Sequence, residues 1–187
     1  MFFRKSFFSV FFAFLLLSSQ AQSAFIKGYI ISLKGDTVWG EAKVNPKKEN
    51  DNFDKILFKD AKGQQKSYDS DKILGYGYKD KHYVVMEADG ENLFFLILTN
   101  GAITMYKQMF PGYRMNKISW ETEYYITDKD NPKPIVIKEF KVKKQLSQHM
   151  EDNLEFINTY NEEAGFDPEK TLEIIIKYNN WKRSSGT

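Results

Sequence analysis

Two histidines, His82 and His149, and no cysteine are what this chain of 187 residues offers towards metal binding or nucleophilic catalysis. Without Cys there is no disulfide, no thiolate metal site and no cysteine nucleophile. A metal centre needs converging His, Cys or carboxylate ligands. The two His stand 67 positions apart (149 − 82), with no H-x-H or H-x-x-x-H spacing. Each therefore reads as a structural or surface residue. No G-x-S-x-G stands ready to lift a serine onto a strained turn beside one of them. Glu121 and Glu123 share a strand face by period two and could act as acid and base, but a solvated sheet face explains them more simply. Asp69 and Asp71 bracket Ser70 in a spacing that suits a hard cation, yet the Gly and later Glu of a calcium loop are missing. Asp128 and Asp130 flank a turn, where Asp supplies local hydrogen bonds. Gly75-Tyr76-Gly77 starts like a phosphate loop, but its third Gly is absent and a strand and turn follow in place of a helix. Those glycines read as close packing or a bulge. No catalytic residue, metal ligand or cofactor is assigned, and the chain reads as a non-enzyme.

The aromatic residues are the remaining lead. Trp39, Trp120 and Trp181, eleven Tyr and nine Phe (16 − 7) lie outside the first 21 residues. Aromatic faces stack on sugars, and Tyr is enriched at protein interfaces. Strands also favour aromatics for their core. Trp39, Trp120 and Tyr76 are the candidate contacts to a ligand or partner.

These residues must be positioned by strands. From 25 to 138 the chain alternates short aromatic and β-branched runs with turn residues. Phe25–Leu33 and Thr37–Val44 flank Gly35-Asp36 as a hairpin, Gly35 supplying positive φ. Asn45–Asn52 reads as a polar loop, Phe53–Lys59 as a third strand and Gln65–Tyr68 as a weak fourth. Lys72–Tyr78, His82–Ala88, Leu93–Thr99 and Ala102–Lys107 follow as a meander, with a type I′ turn expected at Asn100-Gly101. Pro111-Gly112 predicts a break, before strands at Ile118–Thr127 and Ile135–Lys138. From 141 to 182 the period becomes helical. Leu146, Met150, Leu154, Ile157 and Tyr160 recur at steps of three and four, and Asp152 with Glu155 resembles a capping box that splits this stretch in two. Asp167-Pro168 starts a further helix, as N-cap and first helical residue. Its wide apolar stripe, Leu172, Ile174, Ile175, Ile176, Tyr178 and Trp181, predicts burial against the sheet. No repeat or low-complexity linker occurs.

Residues 1–21 read as a secretory signal peptide. Arg4 and Lys5 precede an apolar run of about 11 residues, Phe7–Leu17, where a membrane span wants roughly 20. Ser19 and Ala21 suit cleavage before Gln22, with Ala24 as the alternative position. Removing the leader takes away two cations, so 27 − 2 = 25 Lys and Arg face 25 Asp and Glu. Zero net charge gives no drive towards nucleic acid or anionic lipid. The expectation for 22–187 is a single domain without a transmembrane anchor, extracytoplasmic in the periplasm or secreted.

Gly28-Tyr29-Ile30-Ile31, Gly35-Asp36-Thr37 and Gly40 resemble the opening of uncharacterised exported Bacteroidota proteins, in which a strand, a Gly-Asp-Thr turn and a second strand directly follow the leader. The likeness continues through Asp71–Tyr76, Phe94-Phe95-Leu96, Asn100–Tyr106, Glu123–Ile126 and Ile176–Asn179. It implies compartment and architecture, and carries over no activity. The chain as a whole predicts an α+β fold. This is a twisted antiparallel sheet, open or partly closed as a barrel or sandwich, followed by two or three C-terminal helices. The function expected is a non-catalytic envelope protein that binds another protein, by Tyr-rich contacts or by strand addition at the Gly35-Asp36 hairpin. The alternative is a small-ligand or glycan binder with an aromatic-lined cavity.

Overall fold

The computed structural model describes residues 24–45, 47–114, 117–161, 163 and 165–186. The leader 1–21 lies outside the described residues. Ten strands follow in chain order: β1 (Ala24–Ser32), β2 (Thr37–Val44), β3 (Ile56–Asp60), β4 (Gln65–Tyr68), β5 (Ile73–Tyr78), β6 (Lys81–Ala88), β7 (Glu91–Thr99), β8 (Ile103–Arg114), β9 (Lys117–Asp128) and β10 (Ile135–Val136). A helical turn, α1 (Asp51–Asp54), precedes β3. After β10 come a 3₁₀ turn (Glu139–Lys141) and the helices α2 (Val142–His149), α3 (Glu155–Asn158) and α4 (Pro168–Ser184).

All ten strands form one antiparallel sheet in the order β10-β9-β8-β7-β6-β5-β1-β2-β3-β4. It is two meanders, β1–β4 and β5–β10, joined where β1 pairs with β5. The outermost strands β4 and β10 do not meet, so the sheet is open rather than a barrel. This is the expected fold class in its unclosed form. The Gly35-Asp36 hairpin does turn on a positive φ of 88° at Gly35. Its strands lie inside the sheet, however, with β1 between β5 and β2, and β2 between β1 and β3. Strand addition at that hairpin is therefore unavailable.

One face of β1–β7 carries the first core cluster. Tyr76 is fully buried there, stacked on Tyr83 at 4.5 Å between centroids, with Phe94 edge-on at 5.1 Å. The segment predicted to be a polar loop packs onto this core. Phe53, expected in a strand, sits in α1 and meets Tyr83 edge-on at 5.5 Å. The Tyr76 hydroxyl donates to the carbonyl of Asn52. Glu49 accepts from Lys81 at 3.0 Å and Lys107 at 2.8 Å, tying the segment to β6 and β8. A second cluster lies between β8–β9 and the helices, with Ile103, Met105, Ile126, Leu146, Met150 and Ile175 at its centre. A smaller third one joins Phe95, Tyr106 and Tyr125.

Two turns differ from expectation. Asn100-Gly101 is not a type I′ turn, because neither residue has positive φ. A Cβ on Gly101 would lie 2.5 Å from Cγ of Asn179 in α4. The Asn179 amide accepts from the Ile103 N–H at 2.9 Å and donates to the Ile103 carbonyl at 2.7 Å. Gly101 leaves room for that clamp. The pair of positive φ values that marks a type I′ turn occurs at Asp89-Gly90, 53° and 83°. Pro111-Gly112 causes no break; β8 runs straight through it against β9. A proline is tolerated there because the β7–β8 pairing ends at Lys107, leaving that side of β8 without a ladder to lose.

The helical stretch splits in two as predicted, but without the capping box. Asn153, not Asp152, accepts from the Glu155 N–H at 3.1 Å. Asp152 instead accepts from the Tyr178 hydroxyl at 2.7 Å and from Lys182. Asp167 caps α4 as expected, accepting from the Lys170 N–H at 3.0 Å. In α4 the buried stripe is Ile174, Ile175 and Tyr178, while Ile176 stays exposed. Among the described residues no helix is long and apolar enough to cross a membrane.

Candidate functional site

Of the three aromatic candidates, Tyr76 is fully buried. It is core filling, and no part of its ring is open to a ligand. Trp39 is 68% exposed and Trp120 is 39% exposed. Five strands separate β2 from β9 in the sheet, roughly 29 Å of strand spacing. Alternation also sets them on opposite faces, Trp120 on that of Tyr124 and Ile126, Trp39 on that of Tyr29. They cannot share one site.

Trp39 belongs to a built surface. On β1 Tyr29 stands directly opposite it, their rings edge-to-face at 5.5 Å. Across the seam, Tyr29 faces Gly77 of β5, and Gly77 faces His82 of β6. A Cβ on Gly77 would strike the Tyr29 ring at 2.7 Å, so glycine is what lets that ring lie over β5. The Tyr29 hydroxyl then reaches Nδ1 of His82 at 2.7 Å. Burial raises the Tyr29 hydroxyl above its ordinary value, so it keeps its proton. Nε2 remains the second polar atom of His82. A cleft of about 730 Å³ runs beside these rings, bounded also by Lys27, the Glu41–Lys59 ion pair and the turn at Asp60–Gly63. The sequence flagged Trp39; it missed Tyr29 and His82, whose only sequence signal is an aromatic opposite a strand glycine once the register is known.

A second cleft, about 960 Å³, lies where the β7–β8 and β9–β10 connections meet α2 and α4. Here a histidine does meet a carboxylate, a pairing invisible in the sequence. His149 Nδ1 bonds Asp128, and both side chains are largely buried. Asp128 also accepts from the backbone N–H of Asp130 at 2.9 Å and of Asn131. Among the described residues no serine lines this cleft. The hydroxyls of Thr104 and Thr127 are engaged by Asn100 and Tyr106. The arrangement latches the C-terminus of α2 onto the turn after β9.

The other acidic candidates are also structural. Asp69 pairs with Lys72, and Asp71 accepts from Asn92 at 3.0 Å, fixing the β4–β5 connection against β7. Glu123 accepts from the Tyr125 hydroxyl at 2.6 Å. Among the described residues no three His, Asp or Glu side chains gather as a metal-binding group.

The latch has a pH signature. Burial alone would raise the Asp128 carboxyl, but hydrogen bonds from His149 and Asn131 hold it below its ordinary 3.8. The native chain therefore keeps Asp128 ionised where the unfolded chain has begun to take up a proton. Its stabilisation is complete above the ordinary value and is lost as pH falls through the native one. Thermal melts on descending from about pH 5 should fall less steeply for Asp128→Asn than for the unmodified chain.

No family model matches the chain, and no curated protein or solved structure matches it.

Proposed function

We propose that the protein is an exported, non-catalytic binding module of the cell envelope that takes a protein partner on the Trp39–Tyr29–His82 surface. The observation that carries this is the posture of Trp39. A large apolar ring stands 68% exposed, yet is held in place by Tyr29, itself pinned by His82. Rigid, exposed aromatics are the usual anchors of protein interfaces, because little entropy is lost when they dock. The leader at 1–21, the neutral balance of the remainder and the likeness to exported Bacteroidota proteins support the compartment. The absence of any charge excess speaks against nucleic acid as the partner.

The cleft beside Trp39 favours a second reading, a small ligand or glycan. Its volume lies within the range of ligand pockets, and Lys27, Glu41 and His82 offer polar contacts around an aromatic wall. An enclosed cavity is not where such a ligand would go, since the interior of the sheet is filled by Tyr76, Tyr83, Phe94 and their neighbours.

Crosslinking in intact cells, followed by mass spectrometry, tests both. The unmodified chain should capture a reproducible envelope protein, and Trp39→Ala should reduce that capture at least about tenfold, as expected for a hot-spot residue. The substitution should leave stability within about 0.5 kcal/mol. Identical capture by both chains would sink the protein-partner reading. A soluble sugar whose calorimetric binding disappears with Trp39→Ala would establish the second.

A further inference from the structure

Trp120 is an exposed aromatic, on a strand, that the Trp39 surface leaves unexplained. It lies in the outer half of the β8–β9 ribbon, where, among the described residues, β9 has β8 on one side only. On its other side β10 covers Tyr125 and Ile126, and the Ile137 N–H reaches the Tyr124 carbonyl at 2.8 Å. From Lys117 to Glu123 that side carries no strand among the described residues. The open edge is thus seven residues long, bounded by the ribbon's tip and by Ile137, and Trp120 is its midpoint.

The phase of its hydrogen-bonding groups can be read from Pro111. Proline has no N–H, so the facing pair Pro111–Trp120 is not one that exchanges backbone bonds. Trp120 therefore points its own N–H and C=O away from β8, and so, by alternation, do Ile118 and Thr122. Tyr124 confirms the phase, because its carbonyl points to Ile137. Three successive donor–acceptor pairs are thus presented along the open edge.

We propose that this edge is where a second copy of the chain docks, β9 against β9, antiparallel and symmetric about Trp120. In that register Trp120 faces Trp120 of the second copy, and Ile118 faces Thr122 in both directions. Each of the three pairs exchanges two backbone bonds, about six in all. The remaining positions also match. By register Lys117 comes opposite Glu123 and Ser119 opposite Glu121, so no two acidic positions are brought opposite each other. A two-fold axis through the centre of a segment gives the self-complementary interface of a closed dimer. The two Trp120 rings fall on the same face at its centre, the place where tryptophan contributes most to association. The charged positions are equally what guards a lone edge against pairing; the difference is measurable.

Sedimentation of the chain freed of residues 1–21 should give the mass of two copies. Thr122→Pro removes an N–H that points only to the open edge, so the β8–β9 ladder and the circular dichroism should be unchanged. The dimer dissociation constant should rise at least about tenfold. The chain has no cysteine, which permits a second measurement. Trp120→Cys sets two thiols on Cα atoms about 5.5 Å apart, within disulfide reach, and should crosslink on mild oxidation. Thr122→Cys sets them about 14 Å apart along the strands and should not. A single-chain mass throughout the dilution series, a dimer indifferent to Thr122→Pro, or equal crosslinking by the two cysteine variants would each overturn the proposal.

Discussion

Tyr76→Ala should destabilise the protein by about 4 kcal/mol, or about 8–16 °C in Tm for a chain of this size. The ring is fully buried between Tyr83 and Phe94, so truncation leaves a cavity that the stacked neighbours cannot fill by sliding. It also orphans the Asn52 carbonyl, which the Tyr76 hydroxyl serves from within the core. Tyr76→Phe separates the two effects: it keeps the packing and should cost only about 1–2 kcal/mol, the penalty for an unpaired buried acceptor. Neither variant touches the Trp39 surface. At a temperature where it remains folded, Tyr76→Phe should therefore bind as the unmodified chain does. Denaturant melts monitored by far-UV circular dichroism check the first pair of values. A loss below about 1 kcal/mol for Tyr76→Ala would mean that the ring does not fill the core as described.

Asn179→Ala should cost about 3 kcal/mol, although it removes only a small polar side chain. The Asn179 amide serves both the N–H and the C=O of Ile103, a residue with no exposed surface at the start of β8. Removing it leaves two buried backbone groups without partners, at about 1–3 kcal/mol each, partly relieved where water can enter beside Gly101. Asn179→Asp should fall between, since a carboxylate accepts from the N–H but cannot donate to the carbonyl. Hydrogen exchange of the Ile103 amide supplies a local measure, and should speed up in the alanine variant before global unfolding does.

What the sequence made legible follows from how local the signal is. The strands from β5 to β7 and the start of α4 were readable because period two, and an Asp-Pro start, are properties of neighbours. Asn100-Gly101 was misread because the residue that shapes it, Asn179, lies more than seventy positions later. Pro111 was misread as a break because its tolerance depends on the β7–β8 pairing stopping at Lys107, which only the register reveals. Tyr76 was a reasonable candidate contact: an aromatic in a strand looks the same whether it faces solvent or core, and here α1 covers it. The His149–Asp128 latch left no trace in spacing at all. Trp39 was visible, but Tyr29, Gly77 and His82 join it only across three strands.

The seam between β1 and β5 sets a timetable for self-assembly. Every other strand pairing joins neighbours in sequence, whereas Gly28 and Tyr78, partners at this junction, are 50 residues apart (78 − 28). A chain made from its N-terminus must hold β1 unzipped on one flank until β5 has emerged, so the two half-sheets can mature separately and meet late. Three glycines, Gly28, Gly75 and Gly77, line the join, and a Cβ on Gly28 would lie 2.4 Å from the Gly77 carbonyl oxygen across it. Bulk added at Gly28 should therefore slow the closing of the sheet while sparing the β5–β10 half, leaving a long-lived species with strand content but an unzipped middle.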